Sequence, residues 1–148
     1  MLSNSCKYGI RSIIYIALNN NDNNRKIGIK EISKELNLPT PFLGKILLNL
    51  AKNKLLISTK GPNGGFILSR PASEITLFDI IEIIDGTELF DDCLIGLSTC
   101  SSHAHDDVQC PIHDKYLPIS LQLQNLFKTE SIESLAKEIA ASNGKIGL

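Results

Sequence analysis

The sequence predicts a mainly α-helical fold with a small β-hairpin: a winged helix-turn-helix followed by a long helix towards the C-terminus. Three observations predict it. Apolar residues recur at three- and four-residue spacing through most of the 148 residues, as amphipathic helices require. Two of these helical patterns are separated only by Asn37-Leu38-Pro39, the short turn of a helix-turn-helix. Two strand-like runs then flank the glycine-rich segment Lys60-Gly61-Pro62-Asn63-Gly64-Gly65, placing a hairpin, or wing, directly behind the helix pair.

The elements follow in order. Ile10, Ile13, Ile14, Ala17 and Leu18 fall at i, i+3, i+4, i+7 and i+8, one face of a first helix. The polar run from Asn19 to Asn24 ends it and reads as an exposed loop. Ile29, Ile32 and Leu36 mark a short second helix. Thr40 followed by Pro41 reads as the start of a third: threonine as N-cap accepts an orphan N–H, and proline at the first helical position gives up no hydrogen bond. Leu43, Ile46, Leu47 and Leu50 turn that helix inward. Leu55 to Thr59 and Phe66 to Leu68 read as the strands of the wing, with glycines in the turn and Pro62 stiffening one corner.

Thr76 with Asp79 three residues on has the form of a capping box, and Leu77, Ile80, Ile81 and Ile84 give the helix it opens an apolar face that stops at Asp85-Gly86. Further on, two patterns compete. Leu117, Ile119, Leu121 and Leu123 alternate as a strand would, whereas Ile119, Leu123, Leu126 and Phe127 fit a helix. No turn signal interrupts the run before Thr129, so a helix is expected, with Pro118 near its first turn or at a kink. So many large apolar residues so late in a small chain point to a face that a partner buries. A short helix from Ser131 and a frayed tail follow. The expected organisation is a winged helix-turn-helix over residues 1–85, a cysteine-rich loop over 86–113, and a dimerisation helix with a C-terminal helix over 114–148.

Composition places the chain among globular proteins, at 43% hydrophobic and 21% charged residues. No run approaches the ~18 apolar residues of a membrane span. The first residues lack the hydrophobic stretch of a signal peptide, so no membrane, a cytoplasmic address and reduced thiols are expected. The net charge of −1 conceals an asymmetry. Residues 1–70 hold eleven Lys/Arg against three acids, a net +8, and residues 71–148 hold four against thirteen, a net −9. Either the basic half has a polyanionic partner, or the halves attract each other.

Between the fourth helix and the late helix, Cys93, Cys100 and Cys110 share twenty-one residues with His103, His105 and His113. Reduced surroundings disfavour a disulfide. The Ser, Thr, Asp and Gly around the cysteines are those of an exposed loop, not a core. Thiolate and imidazole suit zinc or an iron–sulfur cluster, and spacing alone does not separate the two. Cys6, alone in the basic half, reads as a packed or surface thiol. An enzyme built on a Cys100–His103 or Cys110–His113 pair lacks an orienting third group, an oxyanion loop and chain enough for a cleft, so no catalysis is expected.

This order of parts resembles the family of winged-helix regulators that includes the iron–sulfur cluster regulator IscR, the nitric-oxide sensor NsrR and the cysteine-metabolism regulator CymR. The residues that carry the likeness are Lys7-Tyr8-Gly9 and Ala17-Leu18 in the first helix, the block from Lys54 through the GPNGG wing to Leu68, and Ile75 to Gly86 after it. The resemblance implies a homodimer that binds a double-stranded DNA operator, usually as a repressor, with the late helix as the dimerisation helix. It also implies a cluster held in the loop before that helix. Cys93, Cys100 and Cys110 match the cluster ligands in order and location, and Cys110-Pro111-Ile112-His113 matches the last cysteine and histidine of the IscR-like subgroup, making His113 the leading fourth ligand. A 2Fe–2S cluster is expected rather than 4Fe–4S; the alternative is a zinc-bound or metal-free regulator that responds to a protein partner or a metabolite. The gaps of six and nine residues between the cysteines are longer than that subgroup's compact spacing, and they leave His103, His105 or a residue of the other subunit as rival fourth ligands.

For DNA, the N-terminal residues of the third helix would face the bases. Thr40, Pro41, Gly44 and Lys45 lie there, and Pro41 and Gly44 offer no side-chain hydrogen bonds, so base readout looks sparse. Lys45 and Lys52 suit phosphate or guanine, Lys60 with Asn63 and Gly64 forms the wing contact, and Lys7 and Arg11 reach phosphates from the first helix.

Overall fold

The computed structural model describes residues 1–20, 25–92, 94–95 and 112–142. Helix α1 (Asn4–Asn19) runs through the centre of the fold, capped by Ser3, whose hydroxyl accepts from the Cys6 N–H at 3.0 Å. Helices α2 (Ile29–Glu35) and α3 (Thr40–Lys52) form the helix-turn-helix. Both end the same way. After α2 the Leu38 N–H returns to the Ser33 carbonyl and the Asn37 N–H to Lys34; after α3 the Leu55 N–H returns to Leu50 and the Lys54 N–H to Ala51. Each is a Schellman turn that needs a left-handed residue, and Asn37 (φ 51°) and Lys54 (φ 62°) take that place without being glycine.

Pro39, not Thr40, is the N-cap of α3, and Thr40 and Pro41 are its first two helical residues. The expected threonine cap is therefore wrong. The Thr40 hydroxyl instead lies 2.7 Å from Ser33 Oγ on α2, because the turn brings the two helices together there.

Strands β1 (Leu56–Thr59) and β2 (Gly65–Leu68) pair antiparallel, Leu56 opposite Leu68 and Thr59 opposite Gly65. Ile27 joins their edge through paired bonds with Phe66 (3.0 and 2.9 Å), tying the entrance of α2 to the wing. A Cβ on Gly65 would stand 2.6 Å from the Ile27 carbonyl oxygen, so this close approach needs glycine.

A short 3₁₀ turn (Ala72–Glu74) leads to α4 (Leu77–Ile84), which carries the full capping box expected: the Asp79 N–H bonds the Thr76 hydroxyl at 3.2 Å, and the Thr76 N–H bonds Asp79 Oδ2 at 2.8 Å. Helix α4 crosses α1 at Gly9, where any Cβ would collide with Ile84 Cδ1. One turn, α5 (Glu88–Asp91), was not legible in the sequence. The helical reading of the late apolar run holds in α6 (His113–Thr129), with Pro118 beyond the first turn. Finally α7 (Ile132–Ala141) packs back on α1, fastened by a bridge between Thr76 and Ser131 and by the Ile132 N–H to the Ile75 carbonyl at 2.8 Å.

Two cores result. The larger is aliphatic and gathers Ile13, Ile16, Ile32, Leu43, Leu47, Leu50, Ile75, Ile80 and Ile132 from α1 to α4 and α7. The smaller holds Cys6, Ile81 and Phe90, with Phe78 and Phe127 against them, and is where α6 meets the rest. Phe90 stacks between Phe78 (5.6 Å between centroids) and Phe127 (6.0 Å, edge-on), and Lys128 Nζ lies 4.8 Å above the Phe78 ring. Among the described residues no helix is long and apolar enough to cross a membrane.

Candidate nucleic-acid interface and metal-binding segment

Burial of Leu43, Ile46, Leu47 and Leu50 fixes the rotation of α3, and that rotation turns Thr40, Phe42, Lys45, Leu48, Asn49 and Lys52 to solvent. The wing tip, Lys60 to Asn63, is equally exposed. Gly61, at φ +105°, makes the tip possible, and the Gly64 N–H closes it onto the Gly61 carbonyl at 2.9 Å. A cleft of about 420 Å³ separates the wing from the start of α2, with Lys30, Ser58 and Thr59 on its walls. Lys7 is exposed on α1. Arg11, one turn on, is half-buried, and its Nη2 reaches the Leu36 carbonyl at 3.5 Å, so it braces the end of α2.

Ion pairs among the described residues do not absorb the charge asymmetry. Among the described residues the ion pairs are Arg25–Glu31, Arg70–Asp79 and Lys137–Glu133, and only Arg70–Asp79 joins the basic half to the acidic half. No lysine of residues 1–70 pairs with a carboxylate among the described residues, so ion pairing there leaves most of the +8 unmatched. Lys7, Lys45, Lys52 and Lys60 remain available to an external polyanion.

Sequence periodicity overlooked Phe42 as a surface residue. It is 63% exposed at the first turn of α3, and Leu48 is 57% exposed two turns on. The signal was present, because both fall off the spacing set by Leu43, Ile46, Leu47 and Leu50.

Cys93, Cys100 and Cys110, with His103 and His105, lie outside the described residues. Their flanks do not. His113, the first residue of α6, is half-buried and shares a small cavity with Phe90, Asp92, Tyr116, Leu117 and Ser120. Asp92 immediately precedes Cys93, so the two ends of the cysteine segment converge at one place, between α5 and α6. That convergence suits a ligand set drawn from both ends of a loop. Cys6 is fully buried, and burial, then the nearby Asp85 carboxylate, pushes its thiol up from 9.0 to about 12. It is a packed thiol, since only the thiolate binds metal.

A basic helix-turn-helix with a glycine-rich wing, its free lysines facing outward, defines a winged-helix DNA-binding protein of the transcription-regulator class. Comparison with known proteins agrees. The chain belongs to the Rrf2 family, described as iron-dependent transcriptional regulators, which matches residues 2–138. It is 34% identical over 135 residues to a putative helix-turn-helix transcriptional regulator of Aquifex aeolicus, covering 91% of this chain and 90% of that one. It is 29% identical over 86 residues to the regulator IscR of Cereibacter sphaeroides, 58% of this chain and 56% of that protein. Among solved structures, CymR, the global cysteine regulator of B. subtilis, superposes with a TM-score of 0.74 at 20% identity, covering 93% of this chain and 97% of that one. IscR of T. potens superposes at 0.70 and 19%, covering 100% and 93%. At such identities these two show a shared fold.

Proposed function

We propose that this chain is a cytoplasmic, homodimeric repressor whose binding to a double-stranded DNA operator is set by an iron–sulfur cluster held by Cys93, Cys100, Cys110 and His113. The observation that carries the reading is the convergence of Asp92 and His113 on one cavity beside α6, at both ends of the cysteine segment. The family's description as iron-dependent supports it. A bound cluster supplies redox chemistry and a rigid cross-link within the loop. His113 in place of a fourth thiolate leaves the site less negative, which raises the reduction potential.

A second copy of the chain is the proposed cover for α6. Ile119, Leu123 and Leu126, at i, i+4 and i+7, are 61%, 37% and 52% exposed on one side of the helix, and Leu117 and Leu121 are exposed on another. The segment that would hold the cluster ends where this helix begins, so cluster binding there would bias the dimer and, through it, the spacing of the two α3 helices on DNA.

The test is purification without oxygen, followed by visible absorption and analysis of iron, sulfide and zinc, with gel shifts on promoter fragments before and after chelation. We expect a coloured protein with iron and sulfide, and an affinity for DNA that changes on chelation. A colourless protein with stoichiometric zinc sinks the cluster and leaves a zinc-bound regulator. No DNA binding even at low salt sinks the regulator.

A further inference from the structure

Seven exposed positions on α3 face away from the core, and hydrogen bonds within the protein engage both of the uncharged polar ones, Thr40 and Asn49. Ser33 Oγ donates to the Leu38 carbonyl at 2.6 Å, so its 2.7 Å contact with Thr40 uses the proton of the Thr40 hydroxyl. The Asn49 amide donates to the Ile83 carbonyl at 3.3 Å and accepts from Asn53 at 3.2 Å. Pro41 has no polar side-chain atom. Lys45 and Lys52 are left, point charges on flexible stems that suit phosphate or guanine and give no contact selective for thymine or adenine. The large side chains left on this face are apolar, Phe42 three residues before Lys45 and Leu48 between Lys45 and Lys52 in the chain.

An apolar side chain of 63% exposure on a helix surface that also carries lysines without carboxylate partners among the described residues fits a partner with both negative charge and an apolar feature within reach. The major groove of DNA is such a partner. Among the four bases, only thymine places an apolar group, its 5-methyl, on the major-groove edge. Phe42 lies in the first turn of α3, the end that approaches the base edges when such a helix docks, and Leu48 stands roughly 9 Å further along the axis.

We propose that Phe42 is a specificity-determining residue that packs its ring on the 5-methyl group of a thymine in the operator. This inference rests on the DNA-binding reading and adds to it the chemistry of base selection. Recognition on α3 is then by shape and apolar contact, with lysines supplying affinity for the phosphates.

The experiment selects a duplex from a random pool with the full-length protein, then replaces each thymine in turn by deoxyuridine, which removes only the methyl group. The wild-type protein is expected to lose about fourfold in affinity at the contacted thymine, the worth of one buried methyl. Phe42→Ala, at an exposed position and so expected to keep the wild-type circular dichroism spectrum, is expected to bind more weakly and to show no penalty at that position. Phe42→Leu is expected to keep part of it. Equal deoxyuridine penalties in wild type and Phe42→Ala overturn the proposal, as does a wild-type protein indifferent to every substitution. Binding without methyl dependence defeats the thymine contact alone, whereas failure to bind any duplex at low salt defeats it together with the DNA-binding reading.

Discussion

Ser120 donates its hydroxyl proton to the carbonyl oxygen of Phe90 at 3.1 Å, and this bond joins α6 to the single turn of α5. Ser120 is the one α6 residue fully inside the described core, at 4% exposure. Phe90 also wedges its ring between Phe78 of α4 and Phe127 of α6, so it holds the chain leading into the cysteine segment to both helices. Ser120→Ala leaves the buried carbonyl unpaired and should cost about 1–2 kcal/mol. Phe90→Ala should cost about 3–5 kcal/mol by opening a cavity. Urea titrations of the two variants against wild type give both numbers, and a Ser120→Ala variant of unchanged midpoint contradicts the first.

Charge on the exposed stripe of α6 should break the proposed dimer without unfolding the chain. Ile119→Lys puts an ammonium group on a side chain that is 61% exposed and makes no core contact. Light scattering after size exclusion should show the 16.2-kDa monomer for the variant and twice that mass for wild type. Wild type at the monomer mass across micromolar concentrations defeats the dimer.

The wing should act through charge. Lys60 stands exposed in its tip with no carboxylate partner among the described residues. Lys60→Glu should weaken binding by a similar factor on all DNA sequences and flatten the log–log salt dependence by about 1 for each phosphate that is no longer neutralised. Gel-shift titrations at several salt concentrations measure the slope, and an unaltered slope removes the wing from the interface.

Cys6 should make the fold sensitive to alkali. Its thiol is neutral in the folded protein up to about 12, whereas an unfolded chain ionises it near 9.0. A group whose folded pKa is raised contributes fully below the unfolded value and loses that contribution as pH climbs towards the folded one. Stability should therefore fall between pH 9 and 12, and Cys6→Ser should show a shallower decline over the same range. Urea midpoints measured across that range give the comparison. Native-state alkylation should also leave Cys6 unmodified, since its side chain is fully buried.

The order of elements was legible in the sequence because local rules determine it. Apolar spacing set the rotation of α1, α3 and α4, Thr76 with Asp79 marked where α4 begins, and Gly61 to Gly65 marked the wing. The same spacing resolved the strand-or-helix conflict in α6, since Ile119, Leu123 and Leu126 share one side only in a helix. Local rules failed where a neighbour in space competed. Thr40 had the right chemistry for an N-cap, but Ser33 on α2 holds its hydroxyl instead. Helix α5 has too few residues for a period, and only the packing of Phe90 against Phe78 and Phe127 reveals its purpose.

Of the candidate site, the sequence by itself determined which residues carry chemistry: a net +8 in the first seventy residues, a glycine-rich wing, and cysteines and histidines concentrated between Cys93 and His113. Those are properties of composition and order, and folding does not change them. Tertiary structure alone decided which groups remain free to act. It tied up Thr40, Asn49 and Arg11, left Lys45, Lys52 and Lys60 without carboxylate partners among the described residues, exposed Phe42, and brought Asp92 beside His113. The physical reason is that a hydrogen bond or a buried contact depends on partners distant in the chain, and their positions follow from packing.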